Sequence, residues 1–379
     1  MKRIAALLCV LCLLAVPVQG EALTVDAESC ILMEKETGEV LYAENEHEQL
    51  EPASVTKVMT ILLVMEAIDG GTLRYEDMVT VSANAASMGG SQVYLKENEQ
   101  MSVEDLLKAV CVASGNDAAV ALGEHIAGSI ENFVAKMNQR AKELGMNDTT
   151  FLNCTGLPAE GHVTSAYDIA LMSRELVLNH PDVRRFTTIW MDSLRDGAFT
   201  LSNTNRLVRY YEGCTGLKTG STDSALYCLS ATAERDGMEL IAVVLKSPTS
   251  TQRFESAKAL LNYGFSLYSL TKVAPEQVLP AVPVRLGSKD YVQPVLGEGS
   301  TLLLEKETAA NLTQELHLAE ELQAPVEEGQ QIGELLVTAG GEQVASIPIV
   351  AGETVARLTY GQILTKFLRM AFMVESFHE

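Results

Sequence analysis

From Val58 to Ile68 the chain is apolar on nearly every side of a helix, interrupted only by Thr60 and Glu66. A helix without a polar face cannot lie on a surface and belongs in the middle of a large domain. Pro52 marks its approach, it begins near Ser54, and Gly70-Gly71 ends it. Ser54 and Lys57 therefore share the first turn of a central helix, one turn apart on one face. A hydroxyl and an amine are carried together into an apolar interior, where an ammonium is costly.

Two further strings come later in the chain, Ser114-Gly115-Asn116 and then Lys218-Thr219-Gly220. Either S-x-x-K or K-T-G alone is a common chance match. The ordered trio is the signature of serine acyl-transferases in which a lysine, not a histidine, activates the nucleophile. Such chemistry needs a nucleophile, a base, donors for an oxyanion and a holder for the substrate. Ser54 supplies the hydroxyl and Lys57 the base, its charged form disfavoured by burial and by a second cation, Lys218. The Ser54 N–H, at a helix N-terminus, is one oxyanion donor, and the Ser221 N–H is the second. Ser114 is expected to relay a proton to the leaving amine, and Asn116 to bind substrate backbone. The strand carrying Lys218, Thr219 and Gly220 can pair with an extended peptide, Lys218 and Thr219 meeting its carboxylate.

The chain opens with a charged Met1-Lys2-Arg3, an apolar run from Ile4 to about Val16, and small residues at Gly20 and Ala22. This is a secretory leader, too short to span a bilayer. Residues 1–22 are expected to be removed and the protein to be exported. The remaining chain is longer than one ordinary domain. A net charge of −22 argues against nucleic acid and against adhesion to an anionic surface by bulk charge. Beyond the leader stand Cys30, Cys111, Cys154, Cys214 and Cys228, irregularly spaced and several in apolar runs. They read as buried free thiols, with a Cys214–Cys228 bridge between adjacent strands left open. No C-x-x-C or H-x-x-x-H spacing exists there, so neither metal nor cofactor is expected.

Strand-like runs at Ser29–Met33 and Val40–Ala43 flank Glu36-Thr37-Gly38-Glu39, a hairpin signal. Ser102 and Asp105 cap a helix that breaks at Ser114-Gly115, and Asp117 restarts a second one. Helices are also expected over Glu131–Leu144, Ala166–Leu178 and Arg253–Leu267. Strands over Leu226–Ala233 and Leu240–Leu245 flank the turn pair Asp236-Gly237. Strands at both chain ends with helices between them imply an antiparallel sheet covered by helices on both faces. After Tyr268, short strand-like runs broken by Pro and Gly imply a small β-sandwich or barrel. The last segment, Gln362–Phe377, is amphipathic, with Ile363, Phe367, Met370, Val374 and Phe377 on one stripe and Lys366 and Arg369 away from it.

The strings Pro52-Ala53-Ser54-Val55-Thr56-Lys57, Ala113-Ser114-Gly115-Asn116-Asp117 and Gly216-Leu217-Lys218-Thr219-Gly220 resemble those of the low-molecular-mass penicillin-binding proteins. These are the serine D-alanyl-D-alanine carboxypeptidases. The likeness runs from about Val25 to Leu267 and includes Thr150-Phe151-Leu152-Asn153, Gly156-Leu157 and Arg253-Phe254. It implies an α/β, DD-peptidase/β-lactamase-like fold over residues 23–270, with an antiparallel sheet flanked by helices. Beyond it the resemblance implies a small all-β domain over 271–360 and an amphipathic anchor helix over 361–379. By the same resemblance the substrate is the D-Ala-D-Ala end of a peptidoglycan stem peptide, β-lactams are covalent inhibitors, and Arg253 joins Thr219 at the terminal carboxylate. The C-terminal helix would hold the protein at the outer face of the cytoplasmic membrane.

Two other readings stay open. A class A β-lactamase needs a glutamate-activated water in an E-x-x-L-N string, which Glu143-Leu144-Gly145-Met146-Asn147 approximates. A non-catalytic β-lactam-sensing or wall-binding protein would need to have lost a catalytic position, and all are present.

Overall fold

The computed structural model describes residues 23–371; the expected leader and the last eight residues lie outside them. A five-stranded antiparallel sheet runs Val40–Glu44, Ser29–Glu34, Met238–Ser247, Leu226–Arg235, Cys214–Thr222 in spatial order. Alternation decides which face each side chain joins. Ile31 and Met33, with Ile241, Val243 and Leu245, pack under the helix Ala166–Asn179 in the core that also holds the central helix, while Cys30 and Leu32, with Leu240, Ala242 and Val244, pack under the helix Ser250–Leu267. The sheet is thus sandwiched between two apolar layers, as the strand and helix pattern predicts.

The central helix, Lys57–Asp69, buries Val58, Met59, Leu62, Val64 and Met65 completely. Its Glu66 is not wasted: Arg140, from the helix Ile130–Glu143, bonds Glu66 Oε1 and Glu175 Oε1 at 2.6 Å each. Glu66, Glu175 and His180 bring three metal-ligand atoms close together, but the Arg140 guanidinium already matches both carboxylates.

The helices Val103–Ala113 and Asn116–Ala127 meet at Ser114-Gly115, the first capped by Ser102 Oγ accepting from the Asp105 N–H. The five cysteines among the described residues are all free. The register sets Cys214 opposite Ala233 and Cys228 opposite Gly220, which removes the Cys214–Cys228 bridge as an option. Beyond Tyr268 the chain is mostly strands, with a four-stranded antiparallel sheet of Pro294–Leu296, Glu342–Ala351, Gln331–Ala339 and Leu312–Leu318. Val292, Ile332, Leu335, Val337, Ile347 and Ile349 form its separate core. A helix comes last, at Tyr360–Ala371. No described helix is long and apolar enough to cross a membrane.

Candidate active site

Ser54 does not open the central helix. It lies on a 3-10 turn, Ala53–Thr56, that precedes Lys57, and Ala53 before it holds φ at +47°. Tertiary contacts shape this turn more than capping does. A Cβ at Gly156 would fall 1.8 Å from the Ala53 carbonyl oxygen, and one at Gly220 would fall 2.8 Å from both Pro52 O and Ser54 N. Two glycines let two other segments press directly onto the backbone around Ser54.

Lys57 is fully buried, and its Nζ lies 2.9 Å from Ser54 Oγ, 2.6 Å from Asn116 Oδ1 and 2.7 Å from the Thr155 carbonyl. Burial drives its pKa well below that of an ordinary lysine, and the charge of Lys218 adds to the shift. Lys218 is itself buried and pushed down to about 7, chiefly by desolvation. Its Nζ donates to the Thr219 carbonyl at 2.9 Å. Lys218 is thus enclosed in this structure, its amine bonded to its own strand and not exposed in the cleft. Thr219 and Arg253 do line it, together with Ser54, Ser114, Gly220 and Ser221.

Ser114 adopts a left-handed conformation, φ +63°, at the C-terminus of its helix, and its buried Oγ has no partner. Strain in a non-glycine residue and an unsatisfied hydroxyl both concentrate at sites that work on a ligand. Asn116 differs from expectation. Its Oδ1 is committed to Lys57 and its Nδ2 donates to Gly89 O at 2.7 Å, so its visible task is to hold the amine. Buried Asp117 accepts from the N–H groups of Val93, Leu95 and Ala118, fastening the loop before it to the helix start.

Arg253 Nη1 donates to Gly220 O at 3.1 Å and Cys228 O at 3.3 Å, and its Nη2 to Ser250 Oγ at 3.2 Å. Burial lowers it to about 10. Its guanidinium rests 4.5 Å from the Phe254 ring centre. Thr219 Oγ1 donates to Thr204 Oγ1 at 2.6 Å. The strand Cys214–Thr222 is outermost in its sheet, so one edge is unpaired beside Ser54.

A second support of Lys57 has no counterpart in the sequence-based expectations. Asn153 Oδ1 accepts from Thr155 N, Thr155 Oγ1 and Gly156 N, which sets the turn that aims the Thr155 carbonyl at Lys57. His162 Nδ1 accepts from the Leu152 N–H at 2.9 Å, so its proton sits on Nε2, 2.8 Å from Thr56 Oγ1. Burial lowers His162 to about 4. Asn153 and Gly156 are visible in the string Asn153-Cys154-Thr155-Gly156-Leu157; nothing local marks their target.

Comparison with known proteins decides the family. A family model described as D-alanyl-D-alanine carboxypeptidase matches residues 16–249. The chain belongs to that family. A second model, the C-terminal domain of penicillin-binding protein 5, matches residues 268–357. The D-alanyl-D-alanine carboxypeptidase DacF of Bacillus subtilis is 43% identical over 86% of this chain and 85% of its own length. Penicillin-binding protein 5 from Haemophilus influenzae superposes with a TM-score of 0.78 at 30% identity, over 88% of this chain and 98% of that one. An ampicillin-bound form of penicillin-binding protein D2 from Listeria monocytogenes gives a TM-score of 0.59 at 35% identity, over 64% of this chain and 99% of that one. This carboxypeptidase is a serine-type enzyme with the fold the motifs implied. The lactamase string does not reach its site. Glu143 ends its helix, exposed, its carboxylate bonded to Gln139 and facing Arg140.

Proposed function

We propose that this enzyme removes the terminal D-alanine from peptidoglycan stem peptides through an acyl-enzyme on Ser54, and that β-lactams acylate the same hydroxyl. The contacts of the Lys57 amine carry this reading. A neutral amine has two N–H bonds and one lone pair. The acceptors Asn116 Oδ1 and Thr155 O match the two N–H bonds, which leaves the lone pair for the Ser54 hydroxyl proton. Burial and Lys218 favour that neutral form.

Ser54 Oγ attacks the carbonyl joining the two D-alanines while Lys57 takes its proton. The Ser54 and Ser221 N–H groups meet the oxyanion. The C–N bond then breaks, with the unpartnered Ser114 hydroxyl passing a proton to the departing amine. Water then hydrolyses the ester, releasing the shortened peptide with a new terminal carboxylate and restoring the Ser54 hydroxyl. Thr219 and the Arg253 fork hold the terminal carboxylate, a charge-assisted pairing. The free strand edge aligns the peptide with Gly220 against the Ser54 turn. The ampicillin-bound Listeria relative supports the β-lactam half of the proposal.

Labour is divided along the chain. Residues 23–270 carry the chemistry, 271–360 form a β-rich stem, and 361–379 attach the exported protein peripherally to the outer face of the cytoplasmic membrane. Tyr360, Leu364, Phe367 and Leu368 are exposed on the terminal helix, which supports a lipid-facing stripe.

The test pairs a diacetylated tripeptide ending in D-Ala-D-Ala with a chromogenic β-lactam. D-alanine release together with a long-lived β-lactam adduct is expected. Rapid β-lactam turnover would instead make it a lactamase, and neither activity would make it a sensor or scaffold.

A further inference from the structure

Beside the groups given above to the terminal carboxylate, Thr219 and Arg253, stands a wall of aromatic side chains. Thr219 Oγ1 donates to Thr204 Oγ1, and Thr204 follows the hairpin of Met191–Leu194 and Phe199–Ser202. At the open end of that hairpin the Asn203 N–H donates to the Trp190 carbonyl at 2.9 Å. Buried Asn205 then donates to the Gly216 carbonyl at 2.9 Å, which ties this stretch to the strand that carries Thr219. Tyr210 ends the short helix Leu207–Tyr210, and both Trp190 and Tyr210 line the cleft with Ser54 and Thr219. The two rings meet edge to face at 67°, their centres 6.0 Å apart, with the Arg209 guanidinium 5.5 Å from each.

Neither ring belongs to one of the hydrophobic cores. Tyr210 is 66% exposed, so little of its surface is buried for stability. The Trp190 indole N–H is buried, yet it has no acceptor among the described residues. The position of the wall decides what it can meet. The carboxylate of the departing residue is one bond from its α-carbon, and the side chain leaves from that same carbon. That side chain therefore lies beside whatever flanks Thr219, while the residues before the scissile bond run along the strand edge at Gly220. D-Alanine puts only a methyl there, in a cleft of about 690 Å³.

We propose that Trp190 and Tyr210 form a pocket for the side chain of the departing D-residue, and that this pocket takes an aromatic D-amino acid as well as D-alanine. This rests on the carboxypeptidase reading above and widens its substrate class to peptides that end in D-alanine followed by an aromatic D-residue. The bond broken is the same C–N bond, Ser114 passes the same proton to the departing amine, and the free aromatic D-amino acid leaves. Its ring meets the two aromatic side chains in offset or edge contact. Trp190 and Tyr210 are specificity residues and take no part in bond breaking.

The test uses the mature protein and diacetyl-L-Lys-D-Ala-D-X peptides, with X alanine, leucine or phenylalanine, and measures release of the free D-amino acid. In wild type, kcat/KM for the phenylalanine peptide should equal or exceed that for the alanine peptide, and the leucine peptide, with bulk but no ring, should fall below the phenylalanine one. Trp190→Ala and Tyr210→Ala should each lower the phenylalanine-to-alanine ratio by about three- to tenfold, the range of one aromatic contact. Should Trp190→Ala fail to fold, Tyr210→Ala decides alone, since Tyr210 is mostly exposed. A wild type that cleaves the phenylalanine peptide less efficiently than the alanine peptide overturns the pocket. So does leucine matching phenylalanine, because room alone would then explain the tolerance, and so does a folded Tyr210→Ala variant that loses both peptides equally. Should wild type release an amino acid from none of the peptides, the carboxypeptidase reading fails on its own. Equilibrium binding of the same peptides to Ser54→Ala then decides the pocket by the same ratio.

Discussion

A buried lysine acts as a base only while its surroundings keep it uncharged, and Lys57 has both burial and a neighbouring lysine to do so. Lys218→Gln removes the like charge, which stabilises protonated Lys57 and raises its pKa. The acidic limb of the penicillin acylation rate should therefore move to higher pH in that variant; an unmoved limb would detach Lys218 from the base. Lys57→Arg keeps a cation but cannot accept a proton near neutrality, so acylation should fall by orders of magnitude. Near-normal acylation in that variant would make Lys57 structural only. The burial of Lys57 beside Ser54 was legible in the sequence, because desolvation follows from an apolar helix and spacing fixes which residues share a turn. The positions of Lys218 and Asn116 were not. Whether a polar side chain reaches a cleft or is consumed holding a neighbour depends on partners distant in sequence, such as Gly89 and Thr155.

At the level of elements, the site is a meeting of two segments on one turn: the outer strand at Gly220 and the loop at Gly156, both pressed on Ala53–Thr56. Strand and helix periods were enough to find the sheet and the central helix. The loop over residues 150–163 has no period, and it acts through backbone contacts that leave no sequence pattern. His162 fastens this loop to Thr56 in its neutral form. The unfolded chain binds a proton at His162 near pH 6.5 and the folded chain only near pH 4. Stability is therefore complete above pH 6.5 and is lost as pH falls through that window, by about 3 kcal/mol from this residue alone. His162→Gln should flatten the fall in melting temperature between pH 6.5 and 4, measured by calorimetry; an identical fall would assign the acid sensitivity elsewhere. Gly156→Ala, by contrast, drives a methyl into Ala53 O and should cost several kcal/mol and most of the acylation rate.

At the scale of the whole molecule, a chain of net charge −22 would need something local to hold it near anionic lipid, the part proposed for the terminal helix. The terminal helix Tyr360–Ala371 leaves Leu364 and Phe367 exposed. Truncation before Gln362 should leave D-alanine release intact while moving the protein from sedimenting with anionic vesicles to staying in solution. Full-length mature protein that never sediments with them would return this helix to the fold. The central claim is that one hydroxyl, on a turn pressed by two glycines and facing a neutral lysine, carries the acyl group. Intact-protein mass spectrometry of the mature enzyme after exposure to penicillin tests it most directly. The account predicts a single penicilloyl adduct that maps to Ser54 and disappears in a folded Ser54→Ala variant. An adduct that survives this substitution would contradict it.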